Sequence, residues 1–302
     1  MSSFSIAAGA AAVTVCLAGA ATAQSSYGTA LTLGVNNYNA DGLDATGTTL
    51  QSETDLSFGN VTLDIDLGWD RASDDGIDVS NLSTEILPKY WFSQSAGAGV
   101  YFSRDSLDLD VGDVVNLDSY GIEGTYRSAG FEGSAFVGRT DADELAGDLD
   151  IRDIGLRARF DASPQLSLFG SGVRSNFEAG GDDVNAYSLG LGAHYDFGNG
   201  FAMFGGYQST SIDDVDAEVG TASVGVNYAL NAGGTPVILS GEYARARFDA
   251  AGFDESADRL SLSATVLFGD AREKRVPGNA VTSPLLKSDR NAVSGLISGI
   301  GF

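Results

Sequence analysis

Val61-Thr62-Leu63-Asp64-Ile65-Asp66-Leu67-Gly68-Trp69 decides the fold. In an extended chain successive side chains point to opposite faces. Val61, Leu63, Ile65, Leu67 and Trp69 then share one face, and Thr62, Asp64, Asp66 and Gly68 share the other. In a soluble sandwich the apolar row would meet a second sheet. In a barrel it meets lipid, and the carboxylates point into water. The division recurs at 151–160, where Ile154, Leu156, Ala158 and Phe160 oppose Asp153, Arg157 and Arg159. It recurs again at 258–268, where Leu260, Leu262, Ala264, Val266 and Phe268 oppose Arg259, Ser261, Ser263 and Thr265.

From Tyr27 to Phe268 one cycle repeats: an alternating stretch, a tight turn, a second alternating stretch, then a longer acidic loop. Segments of about nine to eleven residues suffice for a tilted strand to cross a bilayer. Strands are expected near 27–37, 50–58, 61–70, 82–93, 98–106, 118–127 and 131–139, then near 151–160, 166–174, 184–197, 201–210, 218–229, 237–248 and 256–268. That makes about fourteen, within a range of twelve to sixteen. Brief turns fall at Gly59-Asn60, 95–97, 128–130, 162–165 and 198–200, and longer loops at 39–49, 72–81, 107–117, 140–150 and 175–183. With the amino terminus in the periplasm, every long loop faces outward from the cell. Phe58, Tyr90, Phe92, Tyr126, Phe131, Phe160, Tyr195, Phe197, Phe201, Tyr228 and Phe268 then gather at periplasmic strand ends, with Trp69, Tyr120, Tyr187 and Tyr207 at the other ends. Two aromatic belts mark two membrane interfaces. The expected fold is all-β: a transmembrane, antiparallel, up-and-down barrel.

The chain carries 41 acidic against 17 basic residues, a formal charge of −24. Such acidity excludes a nucleic-acid binder, which needs clustered Lys and Arg against phosphate. Residues 1–23 read as a secretory signal ending in Ala21-Thr22-Ala23, with Cys16 inside it, so the processed chain holds no cysteine and no disulfide. Residues 24–268 read as the barrel. Residues 269–302 break the rhythm with Pro277, Pro284 and the run Arg272-Glu273-Lys274-Arg275. They read as a periplasmic extension, or as a closing segment if Phe302 ends a last strand.

On the face opposite each apolar row stand Glu53, Asp55, Asp64, Asp66, Glu85, Glu123, Glu132 and Asp153, with Lys89, Arg127, Arg157, Arg159 and Arg259 among them. Opposed acidic and basic rows across a lumen set up a transverse field that sorts solutes by charge. The acid excess predicts mild cation preference, reinforced by rim carboxylates at Asp74, Asp75, Asp141, Asp143, Asp182, Asp183, Asp213 and Asp214. Inward bulk is expected at Leu87, Trp91, Tyr101 and Phe204, while Ser188, Gly190 and Gly192 leave space. His194 is the one imidazole, and its expected place near the periplasmic rim does not suit catalysis. The alternating carboxylates of 105–113 lack the Gly turn and closing Glu of a calcium loop, so they read as a solvated acidic loop. No metal or cofactor site is expected.

Leu189-Gly190-Leu191-Gly192-Ala193-His194-Tyr195-Asp196-Phe197-Gly198-Asn199-Gly200, the acidic Gly-rich hairpins and the signal-like start resemble Gram-negative porins, especially those of alphaproteobacteria. The resemblance implies passive diffusion of small hydrophilic solutes or ions through the outer membrane. It implies contact with membrane lipids, lipopolysaccharide and the barrel assembly machinery. Members usually have sixteen strands and a long constriction loop folded inward, and often form trimers. This sequence departs on strand number and loop length, so a monomer is as compatible as a homotrimer. A structural or adhesive barrel with a closed lumen and acidic surface loops is the alternative.

Overall fold

The computed structural model describes residues 25–40, 43–74, 77–109, 113–143, 149–179, 182–213, 217–250 and 253–271, then 276–278, 280, 283 and 289–300. The expected signal segment with Cys16, the 272–275 run, Pro284 and Phe302 lie outside the described residues.

The ring comprises β1 (Ser25–Ala40), β2 (Leu43–Phe58), β3 (Val61–Asp74), β4 (Ile77–Trp91), β5 (Ala96–Leu109), β6 (Asp113–Ser128) and β7 (Phe131–Asp143). It continues with β8 (Leu149–Asp161), β9 (Leu166–Ala179), β10 (Asp182–Gly198), β11 (Phe201–Ile212), β12 (Ala217–Ala232), β13 (Thr235–Ala250) and β14 (Phe253–Gly269). Each strand pairs antiparallel with its sequence neighbours, and β1 closes the barrel against β14, Leu33 opposite Ala264 and Gly28 opposite Gly269. The topology is up-and-down throughout, with fourteen strands, as expected. A closed ring leaves no sheet edge, so the backbone ladder satisfies its own polar groups where lipid offers no partner.

Alternation sets the two faces. Leu156, Leu189 and Leu191 are 60%, 62% and 74% exposed on the outside, whereas Asp153 and Arg157 on the opposite face of β8 are buried. Leu33, Val35, Ile122, Val137, Ile154, Val224, Val226, Leu260 and Leu262 extend this exposed apolar belt. A water-soluble surface does not carry so large a continuous apolar area, whereas hydrocarbon stabilises it. All eleven aromatics expected near one set of strand ends are exposed there. Several pair edge-on or tilted: Tyr90 with Phe92 at 5.4 Å, Tyr195 with Phe197 at 4.9 Å and Phe201 with Tyr228 at 4.6 Å. The opposite belt is sparser, with Tyr120 and Tyr207 exposed and Trp69 and Tyr187 half-buried.

The expected long loops are the main correction. Strands run 12 to 17 residues, and the ladder continues through most of each expected loop. Asn39 pairs with Asp44 and Ala40 with Leu43, so only 41–42 separate β1 from β2; the widest such gap is 144–148. Beyond the lipid both faces of a hairpin meet water. The apolar alternation therefore stops there while backbone pairing does not. At the opposite end the turns are tight. Gly198, Asn199 and Gly200 all have positive φ (78°, 57° and 82°), a left-handed run that Gly and Asn tolerate. The Asp196 carboxylate accepts the Gly198 N–H at 2.8 Å and holds the turn.

Of the segment expected to be a periplasmic extension or closing strand, 269–271 complete β14 and its end, and the described residues from Val276 onward pack inside the ring. Val276 and Ala280 join the inward Phe169 and Phe204 in one apolar cluster. Helix α1 (Ala292–Ile300) follows, with Val293 and Ile297 against the inward Leu117, Ala142 and Ile151.

Candidate functional site

The lumen end that carries both barrel termini contains a cavity of about 350 Å³. Its wall holds Glu53 and Asp55 from β2, Asp64 and Asp66 from β3, Glu85 and Lys89 from β4, Glu123 and Arg127 from β6, Glu132 from β7, and Arg157 and Arg159 from β8. Period-two alternation aims them inward, since each occupies the parity opposite the lipid-facing row. Asp153 and Arg259 face the lumen outside this cavity. Asp153 accepts Thr140 Oγ1 at 2.7 Å and Ser175 Oγ at 2.5 Å, and Arg259 donates to Glu242 at 3.1 Å.

Charge is divided around the wall. Carboxylates alone come from β2 and β3, the guanidinium groups of Arg157 and Arg159 come from β8, and β6 supplies one of each, Glu123 and Arg127. Lys89 Nζ meets Asp64 at 2.6 Å, and Arg157 meets Glu123 at 2.8 Å. Arg159 pairs with Asp161 at 3.1 Å. Arg127 lies 3.8 Å above the Trp91 ring and donates from Nε to the Gln94 carbonyl at 3.0 Å. Of the expected rim carboxylates, Asp74, Asp141, Asp143, Asp182, Asp183 and Asp213 lie at the far strand ends or the turn beside them, and Asp75 and Asp214 lie outside the described residues.

Arg290, absent from the residues expected to face the lumen, is fully buried against its wall. Its guanidinium donates Nε and Nη2 to the two oxygens of Glu85 at 2.8 and 2.6 Å, and Nη1 to Glu123 at 2.5 Å. The Tyr101 and Phe136 ring centroids stand 4.2 and 5.0 Å from it. Asn291 caps α1 by accepting the Ser294 N–H at 2.7 Å, and its amide donates to Ser119 at 3.0 Å. The Ala292 N–H donates to Ser175 Oγ at 2.8 Å. Ser294 Oγ donates to Asp105 at 2.6 Å, so this carboxylate of the 105–113 run faces the lumen. Gln208 Nε2 donates to the Gly295 carbonyl at 3.1 Å and the buried Asp289 at 3.3 Å.

Leu87, Trp91, Tyr101 and Phe204 are buried in the lumen as expected, but Phe136, Phe169, Leu117 and Ile151 join them. The small β10 residues do not simply leave water-filled space. A Cβ on Gly192 would run into the Phe169 ring, and one on Gly295 would sit 2.7 Å from Ser188 Oγ. They make room for an aromatic ring and for the helix. His194 faces inward, 5% exposed, beside Phe204 and Ser167 in register. The inserted segment did leave a signal in the sequence: an Asn cap at 291 ahead of Val293 and Ile297 at helical spacing.

No protein-family profile and no curated protein sequence matches the chain. Solved structures do. An anion-selective porin from Comamonas acidovorans superposes with TM-score 0.53 at 13% identity, over 81% of this chain and 100% of that one. The outer-membrane channel DcaP of Acinetobacter baumannii gives 0.52 at 11% identity, over 82% and 99%. The CymD monoaromatic hydrocarbon channel gives 0.50 at 13% identity, over 83% and 90%. At these identities the likeness is one of fold: a barrel of the Gram-negative outer-membrane class.

Proposed function

We propose that this barrel is an outer-membrane diffusion channel for small hydrophilic solutes, with a lumen that leans toward cations. The observation that carries the reading is the charged cavity, lined by seven carboxylates against four cationic side chains. Fourteen strands enclose more room than inward side chains fill, unlike barrels of about eight strands. Acid on one side and guanidinium groups on the other would orient a passing dipole, while the acid excess would concentrate cations. The solved neighbours, a porin and two channels, support this reading. The Comamonas porin is called anion-selective, and the present lumen leans the other way. Affinity with the alphaproteobacterial porins rests on the 189–200 strand–turn–strand pattern. Membrane lipids, lipopolysaccharide and the assembly machinery are the proposed partners, with monomer and homotrimer both compatible. No residue is assigned a catalytic role.

One observation favours a closed structural barrel instead: the described part of 276–300 occupies the lumen. Proteoliposome swelling separates the two. A channel admits pentoses, and admits small organic cations faster than anions of equal size. Vesicles that keep their volume in every solute identify a closed barrel.

A further inference from the structure

Among the described residues, the hydrogen-bond and ring partners of the Arg290 guanidinium all belong to the barrel wall: Glu85 of β4, Tyr101 of β5, Glu123 of β6 and Phe136 of β7. The Arg290 side chain is fully buried there, with Glu85 and Glu123 at 6% and 3% exposure. Arg157 also pairs with Glu123, so the wall supplies two carboxylates and one cation. Among these directly paired groups the carboxylates outnumber the cation by one, and a single guest cation balances them. The geometry asks for more than charge. Three N–H groups in one plane meet two carboxylates while aromatic rings stand against the guanidinium, a combination that a guanidinium satisfies and a compact ammonium does not.

We propose that this is a lumen binding site for guanidinium-bearing solutes, occupied here by Arg290 as a resident mimic, and that a free guanidinium bound in the vacated site holds the C-terminal segment out of the lumen. The second half rests on the channel reading, and the first does not. A solute cannot enter while Arg290 is docked, because the site is buried. It binds only when the segment withdraws, and differential binding of this kind shifts the population toward the withdrawn state. Among the described residues the segment's other hydrogen bonds to the wall, to Ser119, Ser175, Asp105 and Gln208, are ones that water can replace on withdrawal. The charged site is the tie that a solute can replace in kind.

The test uses the full chain with Arg290→Ala, refolded in detergent and titrated calorimetrically with ethylguanidinium, with ethylammonium as the control of equal charge. The expected result is one ethylguanidinium per chain, bound at least about tenfold more tightly than ethylammonium, weaker binding in wild type, and loss of binding when Glu85→Gln is added. Equal affinities, or no binding to the folded variant, overturn the site. If Arg290→Ala does not fold, Arg290→Lys takes its place: it keeps a cation and loses the planar donors, and failure of ethylguanidinium to bind it also overturns the site. In planar bilayers ethylguanidinium should lengthen wild-type open times while ethylammonium does not, and equal open times with either overturn the gating half. Calorimetric binding with silent bilayers for both wild type and Arg290→Ala removes the channel reading and leaves the site. Conduction without guanidinium-selective binding does the reverse.

Discussion

Arg290 and Glu85 stand 205 positions apart in the chain and meet inside the barrel through two parallel hydrogen bonds of 2.8 and 2.6 Å. The pair ties the C-terminal segment to the middle of β4. Both partners are buried, so removing either leaves an uncompensated charge in the lumen.

Arg290→Ala or Glu85→Gln should weaken docking of the segment by roughly 3–5 kcal/mol, the usual cost of breaking one side of a buried pair. The measurement is the open fraction of single channels, which should rise in each variant. The double variant should open little more than the stronger single one, because both remove one interaction. Independent, additive effects would show that the pair does not hold the segment.

Asp64 neutralises Lys89 at 2.6 Å. Asp64→Asn should leave a cation exposed to the cavity and move the reversal potential toward anions, and Asp64→Asn with Asp66→Asn should move it further. An unchanged potential in the double variant would take these carboxylates out of selectivity.

A side chain at Gly295 would press on the wall, its Cβ 3.0 Å from Ser188 Cβ and 3.3 Å from Thr210 Oγ1. Gly295→Val should therefore lift α1 off β10 and β11 and raise the open fraction without changing barrel stability. A variant indistinguishable from wild type in bilayers would mean that helix contact does not limit current.

Leu191 is 74% exposed in the apolar belt. Leu191→Arg should destabilise the folded barrel in liposomes by roughly 2–4 kcal/mol if it lies near the bilayer midplane. Denaturant unfolding reads this directly, and an unaltered midpoint would place this face in water.

Alternation at Val61, Leu63 and Ile65 against Asp64 and Asp66 was enough to read the barrel, because lipid and water impose opposite demands on adjacent residues. The eleven aromatics of one belt were legible for the same reason. Strand length was not. At Asn39 and Asp44, whose side chains hydrogen-bond across the hairpin, neither face meets lipid, so no apolar row records the ladder. Nor was the occupant of the lumen. Gly192 and Ser188 signal room, but whether water, a ring or a helix fills it depends on residues far away in sequence. Arg290 shows the limit most clearly: a basic residue near the chain end gives no sign of Glu85 or Glu123. In the porins that this chain resembles, a loop folds inward to narrow the bore, whereas here the described part of 276–300 lies in it.

Single-channel recording of the refolded wild type and Arg290→Ala proteins under a salt gradient tests the central claim most directly. The account predicts discrete ohmic steps with a cation-leaning reversal potential in both, brief in wild type and sustained in Arg290→Ala. Inserted barrels of both kinds that pass no current would contradict it.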